Sequence, residues 1–97
     1  MNVKFVSLPT LGELRSYVVE MLCARDRLDP QQTALEGSLI RQSGKACGIL
    51  FQVRGPRCLK TYAIWSSAEN RILFYDSTGL RFAEVRLCEG PDIREVA

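Results

Sequence analysis

The spacing of apolar residues changes once along the chain, from helical to strand-like, near residue 30. Leu11, Leu14, Val18, Met21, Leu22 and Leu28 fall at the three-, four- and seven-residue intervals of one helical face. Glu13, Arg15, Ser16, Glu20 and Arg27 lie largely away from it. Ahead of the stripe, Thr10-Leu11-Gly12-Glu13 has the form of a capping box. In that device the threonine hydroxyl accepts the Glu13 amide, and the Glu13 side chain reaches back to the Thr10 amide. Asp29-Pro30 closes the segment, because proline disfavours helical geometry in the residue before it. The spacing predicts an amphipathic helix over residues 11–28, with its Leu/Met stripe as a core face.

Before the helix, Asn2 to Ser7 alternates weakly and reads as a short strand; after it, Gln31 to Glu36 has no clear period and room for one more helical turn. Strand patterns then follow at Ser38 to Arg41, Ala46 to Arg54, Cys58 to Ser66, Ile72 to Tyr75 and Arg81 to Leu87. Cys47, Ile49, Phe51 and Val53 share one face of the second of these. Turn residues separate them at Gln42-Ser43-Gly44-Lys45, Gly55-Pro56, Ser67-Ala68-Glu69-Asn70 and Asp76-Ser77-Thr78-Gly79. The tail after Gly90-Pro91 is polar and expected to fray. Turn signals this regular, with no helix between them, mean successive antiparallel hairpins. The expected fold class is α+β, a single domain over residues 1–97, with one helix packed on a four- to five-stranded antiparallel meander. A cystatin-like sheet wrapped on a helix is the nearest fold-level analogy, and it decides no function.

One helix of 18 residues is roughly 27 Å long and 10 Å wide, enough to cover one face of a small sheet. The other face of such a sheet should be polar at every second residue. These strands break that rule. Ile49-Leu50-Phe51, Ala63-Ile64-Trp65 and Ile72-Leu73-Phe74-Tyr75 each place apolar side chains on both faces. Leu50, Tyr62, Ile64, Leu73 and Tyr75 are therefore the expected interface residues, pointing away from the helix. Residues 1–8, residues 31–36 or a second copy of the chain would have to cover them. The two segments are short and mostly polar, which favours a two-fold homodimer.

Composition is ordinary for a globular domain: 46% hydrophobic, 25% charged and 8% aromatic. The longest uncharged apolar run, Ala46 to Phe51, is far below the roughly 20 residues of a membrane span, so no membrane partner is expected. Net charge is +2 but unevenly spread. No acid falls between Glu36 and Glu69, where Arg41, Lys45, Arg54, Arg57 and Lys60 form a candidate anion- or nucleic-acid-binding patch. Phe51, Tyr62, Trp65, Phe74, Tyr75 and Phe82 accompany them, as aromatics accompany cations on RNA-binding sheets. The corresponding sequence signature and the second helix of that fold are missing, so nucleic acid is the lesser reading.

The chain has no histidine. That removes Ser-His-Asp and Cys-His machinery and the commonest general base at neutral pH. An enzyme would need a carboxylate of raised pKa in a pocket between helix and sheet. Cys23, Cys47, Cys58 and Cys88 show no metal-ligand spacing and are expected to be unpaired thiols. With no signal-peptide pattern at Met1 to Thr10, they point to a reducing, cytoplasmic setting. No metal and no cofactor are expected. Gln42-Ser43-Gly44-Lys45-Ala46 is not a phosphate loop, since Leu39 and Ala46 stand where its first glycine and its magnesium-binding hydroxyl belong. Asp76, Ser77 and Thr78 read as a turn rather than a catalytic cluster.

Residues 44–82 carry Gly48-Ile49-Leu50-Phe51, Gly55-Pro56-Arg57, Ala63-Ile64-Trp65 and Phe74-Tyr75-Asp76-Ser77-Thr78-Gly79. This stretch resembles small uncharacterised proteins of planctomycete-type bacteria, in which a Gly-Pro-Arg turn and an Ala-Ile-Trp strand recur. The resemblance implies a bacterial protein and no particular activity. The residues themselves favour a non-enzymatic binding domain that associates with itself; its further partner, protein or small molecule, is not named by the sequence.

Overall fold

Val3–Ser7 (β1) leads into a single helix, Leu11–Asp26 (α1), after which the chain lays down five strands in succession. These are Glu36–Gln42 (β2), Lys45–Arg54 (β3), Lys60–Ser66 (β4), Arg71–Tyr75 (β5) and Arg81–Glu89 (β6), followed by one 3-10 turn at Ile93–Glu95. The computed structural model describes residues 3–55 and 60–95, and of Asp26 the backbone alone. Pro56, Arg57, Cys58 and Leu59 lie outside the described residues, so the Gly55-Pro56 turn is described only at its first residue.

The sheet order is β1-β6-β5-β4-β3-β2. From β2 to β6 the pairing is the expected antiparallel meander. The protein is α+β, but its sheet is mixed and six-stranded, not an antiparallel sheet of four or five. The difference is β1, which lies parallel to β6 at the far edge. Parallel neighbours need a long crossover, and here α1 with the whole meander supplies it. That addition also departs from the cystatin-like, purely antiparallel analogy.

Local chemistry explains where α1 begins and ends. Thr10 Oγ1 accepts the Glu13 amide at 3.1 Å, satisfying one of the orphan donors of the first turn. At the other end Arg27 is left-handed, with φ 56°, and Leu28 N donates to Cys23 O at 2.8 Å. This closing turn stops the helix at Asp26, ahead of the Asp29-Pro30 signal. A non-glycine residue in that conformation is strained. Arg27→Gly is therefore expected to stabilise the protein by about 1 kcal/mol in thermal melts, and a loss of stability would show that the arginine side chain outweighs the strain. Residues 30–33 form a turn fastened on Asp29 rather than a further helix: its carboxylate accepts Gln31 N, and its carbonyl accepts Gln32 N and Thr33 Oγ1.

One face of the sheet packs on the helix. Ile49, Phe51 and Val53 of β3, Ala63 and Trp65 of β4, Ile72 and Phe74 of β5, and Val85 and Leu87 of β6 are buried there against Leu14, Val18, Leu22 and Cys23 of α1. Met21, Leu11 and Leu28 of the predicted stripe flank this core and are partly buried. Cys47 and Cys88 are free thiols, and Cys23 is buried in the core.

The Asp76–Gly79 turn is structural. Asp76 Oδ1 accepts Thr78 N at 2.9 Å, Thr78 Oγ1 at 2.6 Å and Leu80 N at 3.1 Å, and Gly79 takes φ 87°. The Thr78 hydroxyl, chiefly, holds the Asp76 carboxyl below its ordinary pKa, with the two backbone amides and Arg25 at 3.6 Å adding to the effect. A depressed carboxyl stabilises the fold above its unfolded pKa and loses that contribution as pH falls through the folded value. The wild-type chain is thus expected to melt above Asp76→Asn at pH 7, with the gap narrowing as pH falls below the ordinary carboxylate range. A gap unchanged in acid would rule out the carboxylate as its source.

Candidate functional site: the open face of the sheet

Strand alternation puts a second set of side chains on the face opposite α1, and the register aligns them in rows across the strands. In the central row Ser38, Leu50, Ile64, Leu73, Glu84 and Val3 stand side by side. A second row runs Glu36, Gln52, Tyr62, Tyr75 and Arg81. A third runs Ile40, Gly48, Ser66, Arg71, Arg86 and Phe5. All five residues read from sequence as facing away from the helix (Leu50, Tyr62, Ile64, Leu73 and Tyr75) meet in the middle of this face. The described residues of the two chain segments considered as a cover are engaged elsewhere. Val3–Ser7 is built into the sheet edge as β1, and Leu35 packs toward the helix-side core, where its carbonyl accepts Arg15 NH2 at 3.1 Å.

The polar groups around the patch are ordered. Tyr62 and Tyr75 stack with centroids 5.0 Å apart and planes 14° apart. Arg81 covers Tyr75, its guanidinium carbon 5.6 Å from the ring centroid, and donates to the Tyr75 hydroxyl at 3.3 Å. Glu84 lies among three guanidinium groups: Arg86 at 3.4 Å, Arg71 at 3.7 Å and Arg81 at 4.0 Å. Arg71 also meets Glu69 at 3.0 Å. These carboxylates let Arg71 and Arg86, which face each other across the β5–β6 pair, sit side by side without net repulsion.

The same face carries a dent and a knob. A cavity of about 290 Å³ opens over Gly48 between Ile40, Ile64, Ser66 and Glu69. Glycine is required at its floor, because a Cβ there would collide with the Trp65 carbonyl. At the opposite edge Phe5 stands 68% exposed on β1. Neither feature was legible beforehand. Alternation placed Phe5 on a strand, but nothing in the sequence tells which edge that strand occupies.

The proposed basic patch does not converge. Arg41 and Lys45 lie at one end of β3 and its hairpin, Arg54 and Lys60 at the other, roughly 30 Å away at the rise of a strand. Arg57 lies outside the described residues. Four of the six aromatics considered for base stacking, Phe51, Trp65, Phe74 and Phe82, pack on the helix side instead.

Among the described residues the one fully buried polar side chain is Thr61, and they hold no cluster of three metal-ligating groups. A depression of about 530 Å³ on the other side of the molecule runs along Leu8, Thr10, Glu13, Tyr17 and Glu20, and is wide open to solvent. Burial pushes the Tyr17 phenol up from its ordinary pKa, so it stays protonated at neutral pH. No described helix is long and apolar enough to cross a membrane. No protein-family model, curated protein or solved structure matches the chain.

Proposed function

We propose that the protein is a non-catalytic interaction domain that works through the open face of its sheet and binds a second copy of itself there. The observation that carries this reading is the central row: Leu50, Ile64 and Leu73 are contiguous across three neighbouring strands and flanked by stacked tyrosines, on the face opposite the helix. Contiguous apolar surface of this kind marks association sites.

Size and charge favour a second copy. Six strands span roughly 24 Å and their three rows roughly 14 Å, a footprint that side chains widen toward the low end of specific interfaces and that a second copy of the same face matches in extent. The face also carries both signs of charge, with Glu36 at one end of its row and Arg81 at the other. Such a surface complements itself when turned over.

The nucleic-acid alternative is weaker for a geometric reason. Base stacking needs free aromatic faces, and here Tyr62 and Tyr75 spend a face on each other while Arg81 takes the remaining face of Tyr75. The nearby arginines are shared with Glu84 and Glu69.

The chain has three tyrosines, which permits an internally controlled test. Tyr62 and Tyr75 lie on the open face and Tyr17 on the helix. Tyrosine iodination across a range of protein concentrations is expected to show Tyr62 and Tyr75 becoming protected as concentration rises, with Tyr17 unchanged. Labelling independent of concentration at all three would contradict the reading.

A further inference from the structure

The knob and the dent lie in one row, at opposite edges of one face, and this constrains how two copies can meet. Resting on the reading of that face as a self-association surface, we infer that the copies pack face to face about a two-fold axis parallel to the strands. The axis runs between β4 and β5, so that Phe5 of each chain lands at the rim of the other chain's Gly48 dent.

A half-turn about such an axis keeps every cross-strand row over itself and reverses the strand order. β5 then lies over the partner's β4, β6 over its β3 and β1 over its β2. In the central row Leu73 faces the partner's Ile64, and Glu84 faces the partner's Leu50. In the tyrosine row Tyr75 faces the partner's Tyr62, and Arg81 faces the partner's Gln52 beside its Glu36. In the third row Arg71 faces the partner's Ser66, whose hydroxyl is an acceptor, Arg86 faces the partner's Gly48 with the dent's Glu69 nearby, and Phe5 faces the partner's Ile40 beside Gly48. The dent of about 290 Å³ has Ile40 and Ile64 among its apolar walls and Ser66 and Glu69 among its polar ones, so it can take the edge of the phenyl ring beside Ile40 and the Arg86 guanidinium toward Glu69. Aligned packing of two twisted sheets at about 30° is an ordinary arrangement.

The other simple two-fold is worse. A half-turn about an axis running across the strands through Leu50, Ile64 and Leu73 sets every strand over its own copy. Arg86 then faces the partner's Arg81, and Ile40 faces the partner's Glu36. Like charges meet, apolar groups meet carboxylates, and Phe5 is carried away from the dent. The parallel axis keeps the arginines apart and brings Phe5 to the rim of the dent; it sets Glu84 over the partner's Leu50, but that carboxylate is already met by Arg71, Arg81 and Arg86 within its own chain.

The test uses positions that cannot join within one chain. Residues 5 and 40 sit on the two edge strands, five strand spacings or roughly 24 Å apart, whereas facing residues of two packed sheets lie roughly 10 Å apart. In a chain with Cys47, Cys58 and Cys88 changed to serine, the double variant Phe5→Cys, Ile40→Cys is expected to be joined by a short bis-maleimide, of roughly 10 Å reach to match that sheet spacing, into a closed covalent dimer, while each single variant is not. In the unmodified chain, Phe5→Ala is expected to weaken dimerisation roughly a hundredfold, since two rings are buried per dimer, with the melting of the monomer unchanged. A dimer by mass without the 5–40 crosslink would overturn this arrangement and leave self-association standing. A ladder of larger covalent species would overturn it in favour of edge-to-edge pairing of β1 with β2. A chain that stays monomeric and uncrosslinked would overturn the arrangement and the self-association reading together.

Discussion

Ile64→Asp is expected to abolish self-association at concentrations where the unmodified chain is a dimer, while the domain still folds. Ile64 lies at the centre of the open face, between Leu50 and Leu73. In the dimer its replacement buries a carboxylate against apolar side chains, with no described cation across the strand pair to meet it. Burial of an unpaired charge costs several kcal/mol, and a two-fold interface incurs that cost twice, so affinity should fall by at least about a thousandfold. The monomer should lose only about 1 kcal/mol, because aspartate is a poor strand former at a site that faces away from the core. Sedimentation of the variant beside the wild type reads the first effect and a thermal melt the second. A dimer of unchanged affinity would remove this face from consideration.

The second large effect concerns the fold that holds the face flat. Trp65 is the largest fully buried side chain, on the helix side of β4 directly behind the open face. Its indole Nε1 donates to Asn70 Oδ1 at 3.3 Å, so the ring also fastens the β4–β5 turn, where Asn70 sits at φ 50°. Truncating a buried tryptophan typically costs about 3–5 kcal/mol, against about 5–15 kcal/mol for a whole domain. Trp65→Ala should therefore lower the melting temperature by about 15 °C or more, or leave the chain unfolded. Denaturant titration checks it, and a loss below about 1 kcal/mol would mean that the core collapses around the gap.

What the sequence disclosed, it disclosed through local chemistry. Thr10 with Glu13 marks the start of α1, and the Leu14, Val18 and Leu22 stripe marks its buried face, because both signals lie within a few residues of each other. The hairpins were legible for the same reason, from turn residues such as Ser43-Gly44 and Asp76 to Gly79. The open face was legible too, since consecutive apolar residues on a strand must point to both sides. Long-range pairing was not. Nothing near Val3–Ser7 announces a parallel partner some eighty residues away, so β1 and the Phe5 knob at the sheet edge had no local signature. The grouping of Arg71, Arg81 and Arg86 around Glu84 depends on the β5–β6 register and on a bulge at Phe74/Tyr75. The basic residues show the opposite case: they are close in sequence, yet the length of β3 separates Arg41 and Lys45 from Arg54 and Lys60.

The central claim is that this face binds a second copy of the chain, and molar mass in solution tests it most directly. Light scattering on the wild-type protein at micromolar concentration, at neutral pH and physiological ionic strength, is predicted to report twice the chain mass of 10.9 kDa. A mass of one chain, unchanged as concentration is raised tenfold, would contradict it.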